Sequence, residues 1–120
     1  MPRINHTPRS VTLGAYPTLP VVADSLDLVW VVATPASDEQ FTITGKEIIL
    51  AWNTGATPHT ITVTSVAIHG RTGDITAYSI GADDIAILPL PVSGFKQVAD
   101  GKCYFEADNA EVKFAILKIA

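Results

Sequence analysis

Few side chains in this 120-residue chain could carry covalent or acid–base chemistry, and they are scattered. His6, His59 and His69 are the three histidines. No two of them stand at the short spacing of a metal site, so only the topology of a β-fold could bring them together. Cys103 is the single cysteine, which rules out an internal disulfide and a thiolate zinc site made by this chain alone. Its neighbours Tyr104 and Phe105 mark it as a small buried hydrophobe. Gly-x-Ser-x-Gly, Walker, paired-cysteine and His-Glu-x-x-His patterns are absent. The loop Gly70-Arg71-Thr72-Gly73-Asp74 could hold a phosphate or a cation. A phosphate cradle needs a helix to follow, and a strand pattern follows here. A calcium loop needs acids at alternate positions, and Asp74 stands alone. A turn in which Arg71 pairs with Asp74 uses the same residues more simply. Asp83-Asp84 likewise reads as an inter-strand turn, and His59 as a solvated turn residue. No catalytic residue, metal ligand or cofactor site is expected, and the chain reads as non-enzymatic.

Aromatic side chains offer a second kind of chemistry, stacking against a sugar. Trp30, Trp52, Tyr78, Phe95 and Tyr104 are the candidates. Trp30 and Trp52 lie inside apolar runs and are assigned to the core. Phe95 and Tyr104 are the better candidates for exposure, so a carbohydrate-binding module stays open as an alternative.

The elements that must position these residues are short strands. In 45–67, Ile61 and Val63 alternate with Thr60, Thr62 and Thr64, a period of two with one greasy and one hydroxyl face. Before them Ile48, Leu50 and Trp52 share one face, with Ile49 and Ala51 on the other, so this strand is expected to be central and covered on both sides. Turn formers from Asn53 to His59 separate the two, and a hairpin is expected. Residues 26–34 are a nearly continuous Val-rich strand, again expected to be covered on both faces. Gly45 marks a tight turn or bulge. Residues 85–90 are apolar but close on Pro89 and Pro91, which points to an edge strand. Val112, Phe114 and Ile116 face one way in the last strand, and Ala115, Leu117 and Ile119 the other. Eight or nine strands with regular turn signals and no amphipathic helix predict an all-β fold. The expected form is a jelly-roll-like β-sandwich or small barrel of about eight strands. Strands with few charges, as in 26–34 and 85–90, leave apolar surface that burial between subunits would cover.

Residues 1–23 differ in kind. They hold Pro2, Pro8, Pro17 and Pro20, half of all the prolines, and exclude helix. They also carry Ile4, Val11, Leu13, Tyr16 and Leu19, which a solvated linker has no use for. The domain reading is therefore an extended Pro-rich arm over 1–23, either a disordered tail, folded onto its own domain or docked on a neighbouring subunit, and a β-sandwich domain over 24–120. Arg3, Ile4, Arg9, Val11, Leu13, Tyr16 and Leu19 are the candidate subunit or capsid contacts. Net charge is −4, with all twelve acids after residue 23. An acidic body with two arginines in its leader argues against nucleic acid. No apolar run approaches the ~20 residues that cross a bilayer. The first residues have no apolar h-region, so no secretory signal is expected. On that account the Asn5-His6-Thr7 glycosylation match reads as chance.

Three stretches carry a family resemblance: NTGATPHTITVTSVA, GRTGDITAYSIGADDIAILP and GKCYFEADNAEVKFAILKI. They resemble small all-β structural proteins of tailed phages and prophages, most like capsid decoration (cement) proteins. The resemblance covers roughly Gly45 to Ile119. It implies a jelly-roll-like or tulip-shaped domain with arms that embrace neighbours. It also implies a homotrimer bound to the major capsid protein on the outside of the virion capsid, made in the host cytoplasm. Another virion part, a tail or head-fibre component, fits the same residues. No catalytic residue and no cofactor carry over.

Overall fold

The computed structural model describes residues 3–11, 28–66 and 73–119. Among them are β1 (Ile4–His6), β2 (Arg9–Val11), β3 (Val31–Val32), β4 (Glu39–Thr42), β5 (Glu47–Asn53), β6 (His59–Thr64), β7 (Ile75–Ile80) and β8 (Ile85–Pro89). A helical turn, α1 (Val92–Phe95), precedes β9 (Lys102–Ala107) and β10 (Val112–Ile119).

Alternation along the sequence sets the faces. In β6, His59, Ile61 and Val63 are buried while Thr60, Thr62 and Thr64 are half-exposed. In β9, Cys103, Phe105 and Ala107 are buried against Lys102, Tyr104 and Glu106 on the other side. Strands with one apolar face must cover it with a second layer. Two sheets result, ordered β1-β4-β9-β6-β7 and β2-β10-β5-β8, with β3 also on β10. Taken from β3 onward, β4-β9-β6-β7 faces β3-β10-β5-β8. These are the two four-stranded sheets of a jelly-roll-like sandwich, as the turn spacing predicts.

Phe41, Phe105 and Phe114 meet at the centre, all fully buried. Phe105 lies 5.9 Å from Phe41 and 4.7 Å from Phe114 between ring centroids, edge to face in both pairs. Burying one such ring is worth about 3 kcal/mol, and the edge-to-face geometry about 1 kcal/mol more. Ile49, Ile61, Val63, Cys103 and Val112 fill the space around them. Gly45 (φ +101°) and Gly101 (φ +72°) take the left-handed turns that a side chain resists.

The expected hairpin over 45–67 is not formed. β5 lies in one sheet and β6 in the other, so the chain crosses the sandwich between them. Asn53 holds the crossing. It is fully buried at the end of β5. Its Nδ2 donates to the carbonyls of Thr57, Ile80 and Gly81 at 2.8, 2.9 and 3.2 Å, and its Oδ1 accepts from Gly55 N–H at 2.9 Å. One amide thereby ties the corner after β5 to the end of β7. The turn residues were legible, but turn chemistry does not say which sheet the next strand joins.

Two further expectations need correction. β5 is central, but its cover is one-sided: Glu47, Ile49, Ala51 and Asn53 are buried, and Ile48, Leu50 and Trp52 only half so. The long strand expected over 26–34 is, in its described part, the two-residue β3, and Leu28, Val29, Val31 and Val32 are exposed. β3 pairs only with Lys113 and Phe114 of β10, which leaves its outer side unpaired among the described residues. β8 is an edge strand, as its prolines require.

Residues 4–11 are extended and lie on the chain's own domain, one of the placements open to the leader. β1 runs parallel to β4, with Ile4 opposite Glu39 and His6 opposite Phe41. β2 runs parallel to β10, with Arg9 opposite Leu117 and Val11 opposite Ile119. The Pro-stiffened backbone is extended, as expected, but its unpaired groups are satisfied by the chain's own sheet edges. Leu13, Tyr16 and Leu19 lie outside the described residues.

Candidate interaction surface

The register of the second sheet assembles an apolar outer face. Across β3, β10, β5 and β8 one row reads Val32, Lys113, Trp52, Ile85. The next reads Ala115, Leu50, Ile87, and the third Leu117, Ile48, Pro89. Lys113, whose Nζ sits 5.8 Å above the Trp52 ring, is the only charge of these rows on β3, β10, β5 and β8, and the third row continues to Arg9 on β2. Trp30 packs edge-on against Trp52 at 5.5 Å, and Trp52 Nε1 donates to Asp83 Oδ1 at 3.2 Å. Both tryptophans are half-buried on this outer face, where the sequence had assigned them to the core. Ile85 and Ile87 are 54% and 64% exposed. At the opposite edge of the same face Val32 is 49% exposed. At the Pro89 end the face runs into an open groove of about 570 Å³ lined by Gly45, Ile48, Pro89, Pro91 and Ile119.

Of the leader contacts named from sequence, Arg3, Ile4, Arg9 and Val11 lie among the described residues. Arg3 is engaged within its own chain: Nη1 donates to the Glu39 and Phe105 carbonyls at 3.1 and 3.4 Å, and the guanidinium lies 4.4 Å from the Tyr104 ring centroid. Ile4 is exposed on β1. Arg9 and Val11 are backbone partners of β10 in the second sheet. The sequence missed Ile48, Leu50, Trp52 and Ile87 as contact candidates, although two apolar faces on β5 and the uncharged run at 85–90 were their signal.

The titratable groups serve the fold. His6 is buried on β1 with Nε2 3.7 Å from Glu39 Oε1. Burial pushes the Glu39 carboxyl up, and His6 together with the Thr34 hydroxyl and N–H outweighs it, leaving the group below its ordinary range. Glu47 is balanced in the same way: burial raises it, and donors from Thr44 and Gly45 bring it below the usual value. Partial burial and the neighbouring Asp38 carboxylate push Glu106 up. His59 is not a solvated turn residue. It is buried at the start of β6, with Nδ1 3.3 Å from Asp108 and Nε2 3.3 Å from Glu111. Cys103 is fully buried, and burial pushes its thiol up to about 12.

The candidate loops resolve into structural ties. Asp74 accepts from Ser65 N–H at 2.8 Å and Ser65 Oγ at 2.6 Å. Arg71 and His69 lie outside the described residues. Asp83 and Asp84 form the expected turn between β7 and β8, with Asp84 N–H donating to the Gly81 carbonyl at 3.1 Å. Phe95 is in the core, so it offers no sugar platform. Tyr104 has Arg3 over its ring and donates its hydroxyl to Asp100. Among the described residues no group of three His, Cys, Asp or Glu side chains is arranged to hold a metal ion, and no helix is long and apolar enough to cross a membrane. Compared with models of protein families, with curated proteins and with solved structures, the chain shows no significant match.

Proposed function

We propose that this chain is a structural subunit of a tailed-phage virion, a decoration protein that self-associates and binds the outside of the capsid lattice to stabilise it. The observation that carries the reading is the outer face of the second sheet, three cross-strand rows in which Lys113 is the one charge on β10, β5 and β8. Antiparallel sheets that face water alternate apolar-in with polar-out, and the Thr60-Thr62-Thr64 side of β6 obeys that rule. Ile48, Leu50, Ile85 and Ile87 break it on one face only. A face of this kind fits a subunit that is covered when assembled. Jelly-roll domains recur in viral capsids and in lectins, so the fold admits the reading and does not choose it. The resemblance of the 45–119 region to phage structural proteins supplies the choice of partner, the major capsid protein. The mechanism is additive: each copy buries modest apolar area, and a closed lattice repeats the contact many times.

The test is co-sedimentation of the purified chain with undecorated capsids of the phage whose structural gene cluster encodes it. Saturable binding and a rise in the temperature at which the capsids open are expected. A chain that stays in the supernatant at saturating concentration, with capsid melting unchanged, refutes the reading.

A further inference from the structure

The five outermost strands of the two sheets are unequal. β1, β2 and β3 are three, three and two residues long, too short to template a partner. β7 is longer but blunted: its register against β6 shifts between Ile61 and Val63, Ala77 takes a φ of 51°, and Ala77 N–H turns back onto Thr62 Oγ1 at 3.0 Å. Such a bulge bends an edge away from further pairing. β8 has no such device. Its register against β5 is continuous from Ile85 opposite Trp52 to Pro89 opposite Ile48. It carries no charge, and Pro89 removes a donor only at its last position.

The alternation of the ladder says which groups are open. Asn53 N–H donates to the Asp84 carbonyl at 3.0 Å, so Asp84, Ala86 and Leu88 turn their backbone groups toward β5. Ile85 and Ile87 turn theirs away, to a side with no strand among the described residues. Their side chains are also the most exposed of the outer face, at 54% and 64%. An uncharged, unbulged edge with apolar side chains is a strand-addition site in natural sheets.

We infer that β8 is the contact between two copies of this chain, added antiparallel to itself with Ile85 opposite Ile87 of the partner subunit. Among the described edges it is the one strand of five or more residues left unblunted, so the matching edge on another copy is β8 again. That register makes four backbone hydrogen bonds from Ile85 and Ile87 and leaves both Pro89 residues outside the paired segment. It joins the two apolar faces into one. A standard interface buries about 800 Å² per partner, roughly 60% of it apolar, and the apolar Ile48, Leu50, Ile85 and Ile87 side of the sheet runs along this seam. The contact is isologous and gives an even number of chains. It rests on the outer face being an interface and not on the virion assignment.

Light scattering after gel filtration, at about 100 µM chain, reads the assembly at a concentration where a standard-size interface is populated. The expected mass is an even multiple of the 12.7 kDa chain. Ile87→Pro removes an outward N–H that β5 does not use, so the sheet should fold while the dissociation constant rises at least tenfold. Should that variant not fold, I85C/I87C decides: hydrogen-bonded cross-strand neighbours lie about 5.5 Å apart, within disulfide reach, and oxidation should give a covalent pair. Fully buried Cys103 stays out of the reaction. A single-chain mass, a three-chain mass, or a folded Ile87→Pro variant that associates as well as the parent overturns the inference. Capsid binding by a single-chain species would overturn it together with self-association, and leave the capsid contact of the virion reading standing. An even-numbered assembly that ignores capsids would do the reverse.

Discussion

Replacing Asn53 by Ala should be among the most destabilising single changes in the chain. The side chain makes four hydrogen bonds from a fully buried position. Thr57 is exposed and Gly81 half-exposed, so water can replace the amide at their carbonyls. Gly55 N–H and the Ile80 carbonyl are buried and have no such substitute. Leaving two buried groups unpaired, at about 1–2 kcal/mol each, gives a loss of about 2–4 kcal/mol. That is a large share of the roughly 5–15 kcal/mol a domain possesses. Asn53→Asp keeps the acceptor for Gly55 and turns a carboxylate oxygen onto three carbonyls, so it should be at least as costly as Ala. The assay is urea unfolding followed by tryptophan fluorescence, with the slope m expected unchanged and the midpoint lowered by about 1–2 M. Asn109→Ala removes an exposed turn bond to Glu111 N–H and serves as the control, with a loss below about 1 kcal/mol. A loss of under about 1 kcal/mol in Asn53→Ala, or an Asp variant clearly more stable than the Ala variant, would refute the role given to this amide.

Two other outcomes follow from the charged and sulfur groups. Glu106 has a folded-state pKa above its ordinary value of 4.5, so its contribution to stability is fully present below that value and is lost as pH rises through the raised one. Glu106→Gln should therefore melt higher than the parent at pH 7, by a gain below about 1 kcal/mol, and the gain should vanish in acid where the carboxyl is already neutral. An unchanged or lower melting temperature at pH 7 contradicts the Asp38–Glu106 repulsion. Cys103, buried and with its thiol pushed up to about 12, should react with a soluble disulfide reagent at pH 8 at least a hundredfold more slowly than free cysteine. Its labelling rate should track unfolding in urea, and fast labelling of the native chain would mean that the Phe105 neighbourhood is not closed.

What the sequence determined by itself was everything with a period of two: alternation put Ile61 and Val63 on one greasy face of β6 and set Val112, Phe114 and Ile116 together on one face of β10. Turn chemistry added the all-β class, and Pro89 with Pro91 made β8 an edge. The long-range facts came only from the fold. That β5 and β6 separate into different sheets depends on a buried amide meeting carbonyls 27 and 28 residues away, which no local pattern encodes. That residues 4–11 pair with their own sheets depends on which edges β4 and β10 leave open. The apolar outer face was present in the composition of 48–52 and 85–89, but its one-sided exposure appears only when the register lays Leu50 beside Ile87. Side-chain alternation is a local consequence of backbone geometry, whereas the choice of neighbour is settled by the whole set of strands competing for the same core.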